Sequence, residues 1–91
     1  MARTVTANTT LANGEDYLWA DATAEPITVT LPALPGVAGA VFIIFKADAS
    51  ANGVTVTPSG ADTILGEPNM ILTAFGQSMT LISGPAQWWL L

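Results

Sequence analysis

The chain has 91 residues, of which 51% are hydrophobic and 10% are charged, and its formal net charge is -5. The high apolar content and low charge exclude a disordered chain, and the absence of cysteine excludes a disulfide scaffold. Without His or Cys there can be no imidazole or thiolate metal site or catalysis, and Arg3 and Lys46 alone cannot form the basic patch that nucleic-acid binding requires.

The first residues are rich in Thr and Asn and predict an extended N-terminal arm over 1–13, followed by a single β domain over 14–91. We expect the arm to contact a larger partner through Arg3, Val5 and Leu11. The longest apolar stretch, 37–45, is too short to span a bilayer as a helix, so we expect no membrane partner.

Apolar and hydroxyl side chains alternate with a period of two, which is typical of strands with one buried face. The alternation covers 27–31, 54–57 and 78–81, and a further strand can begin at Tyr17. The stretch 41–45 is instead continuously apolar and ends at Lys46. It therefore predicts a central strand that is covered on both faces.

Turn signals rich in Gly, Pro and Asn separate these strands at short intervals, and Asn52-Gly53 is a strong hairpin signal. The spacing predicts an all-β fold, a small antiparallel β-sandwich or barrel-like domain. Two segments, 27–32 and 54–58, have closely similar sequences. We interpret that similarity as shared hairpin chemistry and not as a duplication.

The sequence offers few residues that could carry out catalysis or bind a metal ion. A nucleophile needs a base to activate it, and the seven acids lie beside Gly or Pro, in turns or among strand residues. Residues 48–53 imitate the first half of a calcium loop, but the closing position would be Ser59 and not an acid. We expect no enzyme activity, no cofactor and no metal, and a turn capped by Asp48 and Asn52.

A domain this small buries little surface on folding. Without disulfides or a metal site, self-association is the remaining way to stabilise it. A typical domain is about 25% charged, so much of this surface must be uncharged. Trp88 and Trp89 are adjacent on a strand and must point to opposite faces. One is expected in the core and the other on the outer face, where stacking on a glycan is the alternative for Trp89 and Trp19. Our candidates for oligomer interface or core are Trp88, Trp89, Leu91, Ile43 and Phe45.

The order of several segments resembles a β-rich module of tailed-bacteriophage virion proteins. The resemblance covers roughly residues 16–91 and depends on the order and spacing of strand and turn segments. These segments are 27–32, 42–46, 48–58, 62–66, 76–81 and 88–89. The module occurs in tail fibres, baseplates, head fibres and capsid decoration proteins.

What the resemblance implies is a virion structural component, usually a homotrimer, without catalysis. Because the module nearly fills the chain, the leading expectation is a capsid decoration (cement) protein. It would be made in the host cytoplasm and would bind the major capsid protein on the outer capsid surface. The alternative is a tail-fibre or head-fibre tip that binds host-surface glycans. A third possibility is a non-viral β adhesin or surface-layer module.

Overall fold

The computed structural model describes residues 2–11, 17–33, 40–84 and 87–90, and these ranges contain nine strands and no helix. Leu91 and the predicted boundary between arm and domain lie outside the described residues. Within these ranges, no helix has the length and hydropathy needed to cross a membrane. The strands are β1 (Ala2–Val5), β2 (Thr9–Thr10), β3 (Tyr17–Ala20), β4 (Ile27–Thr30), β5 (Val41–Lys46), β6 (Val54–Thr57), β7 (Met70–Leu72), β8 (Ser78–Ser83) and β9 (Trp88–Leu90).

The strands form two mixed sheets, an arrangement compatible with a small β-sandwich. The five-stranded sheet has the order β1-β3-β5-β8-β9, and the four-stranded sheet has the order β2-β4-β6-β7. From β1 to β6 the chain alternates between the sheets, so it makes three turns of a flattened coil. Each turn contributes one strand to each sheet, and β7, β8 and β9 then close one side of the coil.

The prediction of antiparallel hairpins is therefore wrong for the first six strands. The pairs β1–β3, β2–β4, β3–β5 and β4–β6 are parallel, whereas β5–β8, β6–β7 and β8–β9 are antiparallel. The physical reason is the alternation between sheets. A strand that joins the strand two before it, after a full turn of the coil, runs in the same direction.

The two similar segments are neighbours in this coil. β4 and β6 pair in parallel with Ile27 opposite Val54 and Thr30 opposite Thr57. Their similarity therefore reflects equivalent positions in successive turns, and the interpretation as hairpin chemistry is wrong. Parallel in-register pairing places like residues side by side, so both strands bury their Val and Ile side chains and turn their Thr side chains outward.

The core lies between the sheets. Leu18, Phe42, Ile44, Leu81 and Trp88 face it from the five-stranded sheet. The other sheet and the connections add their buried apolar side chains, namely Leu11, Ile27, Val29, Leu31, Val54, Val56, Ile64 and Leu72. β5 is the third of five strands, which confirms the prediction that it is central. Only its Phe42–Ile44–Lys46 face is fully buried, however, and Val41 is exposed on the other face.

Candidate functional site

A buried ion pair braces two of the sheet-crossing connections of the coil, the one after β3 and the one after β5. The Lys46 side chain is 0% exposed, and its Nζ lies 2.9 Å from Oδ2 of Asp48 and 3.3 Å from the Asp48 carbonyl oxygen. Opposite Lys46 on β3 stands Ala20, whose small side chain leaves room for the lysine. A buried charge requires such a partner, because an unpaired ammonium away from water is strongly unfavourable.

Asp48 in turn binds the neighbouring connection. Its Oδ1 accepts a hydrogen bond from the Ala22 backbone N–H at 2.8 Å, and its Oδ2 accepts from the backbone N–H of Ser50 at 3.0 Å and from the Ser50 hydroxyl. Asn52 Nδ2 donates to the Ala22 carbonyl oxygen at 2.7 Å. These contacts hold the segment after β5 against the segment after β3.

The side chains of Asp48 and Ser59, at the first and last positions of the calcium-loop pattern, make hydrogen bonds within the protein. Both carboxylate oxygens of Asp48 already accept hydrogen bonds, and the Ser59 hydroxyl donates to the Leu31 carbonyl oxygen at 2.5 Å. Within the described part of the chain, no three acidic side chains come together where they could hold a metal ion. Asp48 caps the turn, as expected, but the turn leads to the other sheet and not back along β5.

Hydrogen bonds also set the acidity of Asp48. The hydroxyl of Ser50 is the largest influence and lowers the pKa of this carboxyl well below its ordinary value, against the opposing effect of burial. Lys46 and the backbone N–H groups of Ala22 and Ser50 lower the pKa further. The carboxylate is therefore charged near neutral pH, where it acts as a structural group and is unsuited to proton transfer.

The outer face of the five-stranded sheet is apolar and aromatic except on β8, where Ser78 and Thr80 stand opposite Phe45 and Ile43. We call its apolar part the aromatic face, and it consists of Tyr17, Trp19, Val41, Ile43, Phe45, Ile82 and Trp89. The Trp19 ring stacks on Tyr17 at 6.1 Å and on Phe45 at 5.4 Å between ring centroids. Tyr17 and Trp89 are 44% and 45% exposed. A little under half of each of these two side chains is therefore open to solvent.

The outer face of the four-stranded sheet carries hydroxyl groups on β2, β4 and β6, and on β7 the exposed Ile71 stands opposite Thr55. We call its hydroxyl part the threonine face, and it consists of Thr10, Thr28, Thr30, Thr55 and Thr57, with Asn8 at its margin. Thr10, Thr30 and Thr57 stand opposite one another across three parallel strands. Oδ1 of Asn8 accepts a hydrogen bond from the Thr28 N–H at 2.8 Å, beside a depression of about 460 Å³. The face is uncharged and can donate and accept hydrogen bonds.

The described candidates for oligomer interface or core lie on two different faces of the five-stranded sheet. Trp88 is 1% exposed and packs against Phe42 in the core, at 5.7 Å between ring centroids. Trp89, next to it, lies on the aromatic face, which confirms that the two indoles point in opposite directions. Ile43 and Phe45 are half-buried on the same aromatic face.

The candidate arm contacts lie within the sheets. Arg3 and Val5 are on β1, the edge strand of the five-stranded sheet, and an Arg3 guanidinium nitrogen donates to the Thr9 hydroxyl at 2.9 Å. Leu11 is buried in the core and its N–H donates to the Thr30 carbonyl oxygen at 2.8 Å. Leu11 is therefore unable to contact a partner with its side chain in this structure.

Two features of the structure were not predicted from the sequence. The first is the buried ion pair of Lys46 and Asp48, for which the only signal was a charged residue two positions before an acid at the end of an apolar strand. The second is the in-register threonine face, signalled by the two similar Thr-x-Thr segments. Compared with protein-family models and with curated protein sequences, the chain gives no match.

Proposed function

We propose that this chain is a structural protein of a tailed-bacteriophage virion, specifically a decoration protein that binds the outer capsid surface as a homotrimer and stabilises the shell. The sequence resemblance to phage virion modules supports this function. The observation that carries it is the threonine face, because a row of in-register, uncharged hydroxyl groups suits docking on a neutral protein surface.

The mechanism of stabilisation is linkage. A protein that binds the assembled shell but not its separated subunits favours the shell by mass action. In this proposal the major capsid protein contacts the threonine face, to which the edge strand β2 contributes Thr10, and β1 is the edge strand of the other sheet at the same end of the coil. Segment 1–13 then contributes through these strands and not through the Leu11 side chain, which is in the core.

The test adds purified protein to undecorated mature capsids and measures co-sedimentation. We expect the wild-type protein to be retained and Thr30→Asp, which places a charge at the centre of the threonine face, to be retained at least about tenfold less. Ala74→Asp is the matched control, since it places the same charge in the exposed turn between β7 and β8, outside the four-stranded sheet. Absence of wild-type retention rejects the proposal, and equal retention of the two variants rejects the threonine face as the docking surface.

A second candidate is a fibre-tip module that binds host-surface glycans. The observation favouring it is the stacked row of Tyr17, Trp19 and Phe45, since exposed aromatic rings can pack on sugar rings. A glycan array separates the two functions. Specific glycan binding that is lost in Trp19→Ser, together with no retention on capsids, would favour the fibre tip.

A further inference from the structure

The aromatic face forms one continuous surface across the sheet. Tyr17 on β3 stands opposite Ile43 on β5, and Trp19 stands opposite Phe45. The face continues through β8 to Trp89 on β9, which stands opposite Ile82. With neighbouring strands about 4.8 Å apart, the distance from β3 to β9 is about 14 Å.

The exposed apolar area is large for so small a chain. A buried aromatic side chain removes about 150–250 Å² from water, so the exposed fractions of Tyr17, Trp19 and Trp89 amount to about 190–310 Å². Val41 and the half-buried Ile43, Phe45 and Ile82 add to this area. The largest apolar patch on a typical monomer is about 300–600 Å² and is often functional.

The outward side chains of β5 indicate a protein partner. A stable protein interface buries about 800 Å² on each partner, so an interface here has to extend beyond the exposed parts of Tyr17, Trp19 and Trp89 over the half-buried residues of the face and its surroundings. The face also carries the outward side chains of β5, the strand whose continuous apolar run predicts cover on both sides. Within the described ranges, the buried side chains of β5 are all on one of these sides.

The charge distribution indicates that the partner is another copy. The chain has 7 acidic and 2 basic residues, and none of those that the structure describes is among the side chains of the aromatic face. Identical acidic chains can therefore meet at this face without bringing like charges together, whereas a partner chosen by opposite charge would find no ionic contact here. Apolar area and missing charge are the properties of an interface between copies of one chain.

We propose that the aromatic face is the contact surface between copies, with the Tyr17–Trp19 side of one copy against the Trp89 side of the next. This assignment rests on the homotrimer contained in the proposed function. Around a threefold axis each contact joins two different parts of the surface, and the two sides of this face differ in sequence. Trp19 and Trp89 are the expected hot spots, because tryptophan dominates interface energies.

The test is native mass spectrometry of the full chain over a dilution series. We expect a trimer for the wild-type protein and at least about a tenfold weaker trimer for Tyr17→Ser and for Trp89→Ser. Ile71→Ser and Phe75→Ser are matched controls, since these apolar residues are 53% and 69% exposed outside the aromatic face. The controls should leave the trimer unchanged.

Circular dichroism establishes that each variant is folded, and both test residues are exposed enough for truncation to leave the fold intact. A tryptophan emission shift to longer wavelength on dilution provides a second measurement, because Trp19 and Trp89 become exposed when copies separate. A wild-type monomer at all concentrations overturns the contact surface and the homotrimer, while capsid retention still tests the decoration function. A trimer that survives both variants overturns the contact surface alone.

Discussion

Replacing Ile44 by alanine should remove a large part of the stability of the fold. Ile44 is fully buried at the centre of the five-stranded sheet, with Leu18 and Met79 opposite it on the adjacent strands. The change deletes three carbon atoms, worth about 2.4 kcal/mol at about 0.8 kcal/mol each, and leaves a cavity. The expected cost is about 3 kcal/mol, within the range of about 2–5 for such truncations.

A loss of this size is a large share of the total, since a domain of this length has about 5–14 kcal/mol of stability. The melting temperature should fall by roughly 12–24 °C. Urea and thermal denaturation followed by circular dichroism, at one fixed protein concentration, measure both quantities. If Ile44→Ala fails to fold, the smaller truncation Ile44→Val can be measured instead, and it should cost about 0.5–1.5 kcal/mol of stability.

Ile71→Ala is the matched control, because it makes the same chemical change at an exposed position on the outer side of β7. It should change stability by no more than about 0.5–1 kcal/mol. Equal losses for Ile44→Ala and Ile71→Ala would refute the assignment of the core to the space between the two sheets.

Two further predictions concern the connections. Because the Ser50 hydroxyl and the other donors hold the pKa of Asp48 below its ordinary value of 3.8, the unfolded chain takes up a proton there before the folded chain does, and stability should fall as the pH drops below about 4. Asp48→Asn should reduce this fall between neutral and acidic urea titrations, and an unchanged pH dependence would contradict the role of this carboxylate. Gly84→Ala should cost about 1–3 kcal/mol through overpacking, because a Cβ there would lie 2.3 Å from Nε1 of Trp89 and 3.0 Å from the Gln87 carbonyl oxygen. The cost should shrink in a Trp89→Ser background in a double-mutant cycle, and an unchanged cost would show that the indole is not the obstacle.

Local pattern was sufficient to predict most of the strands, although β7 was not predicted and β1 and β2 lie in the segment predicted as an extended arm. The alternation at 27–31 and 54–57 and the apolar run at 41–45 correspond to β4, β6 and β5. The opposite directions of Trp88 and Trp89 follow from strand geometry alone. Each of these predictions depends on neighbours within a few positions, which the sequence displays directly.

Strand pairing was not predictable in the same way. Asn52-Gly53 is a hairpin signal, yet Asp48 and Asn52 hydrogen-bond to Ala22 and carry the chain to the other sheet. These partners lie 26 and 30 positions away. No local pattern encodes such contacts. The sequence therefore predicts a set of antiparallel hairpins, whereas the first six strands of the structure form a parallel coil.

The amino-acid sequence by itself determined that the chain is built from strands, which residues of each strand are apolar, and that charge is too scarce to cover its surface. Three further facts come from the folded arrangement of the chain: Lys46 and Leu11 are buried, the threonines stand in register, and the aromatic side chains share one face. Side-chain periodicity is a property of each strand alone, whereas faces and buried pairs arise when distant strands come together.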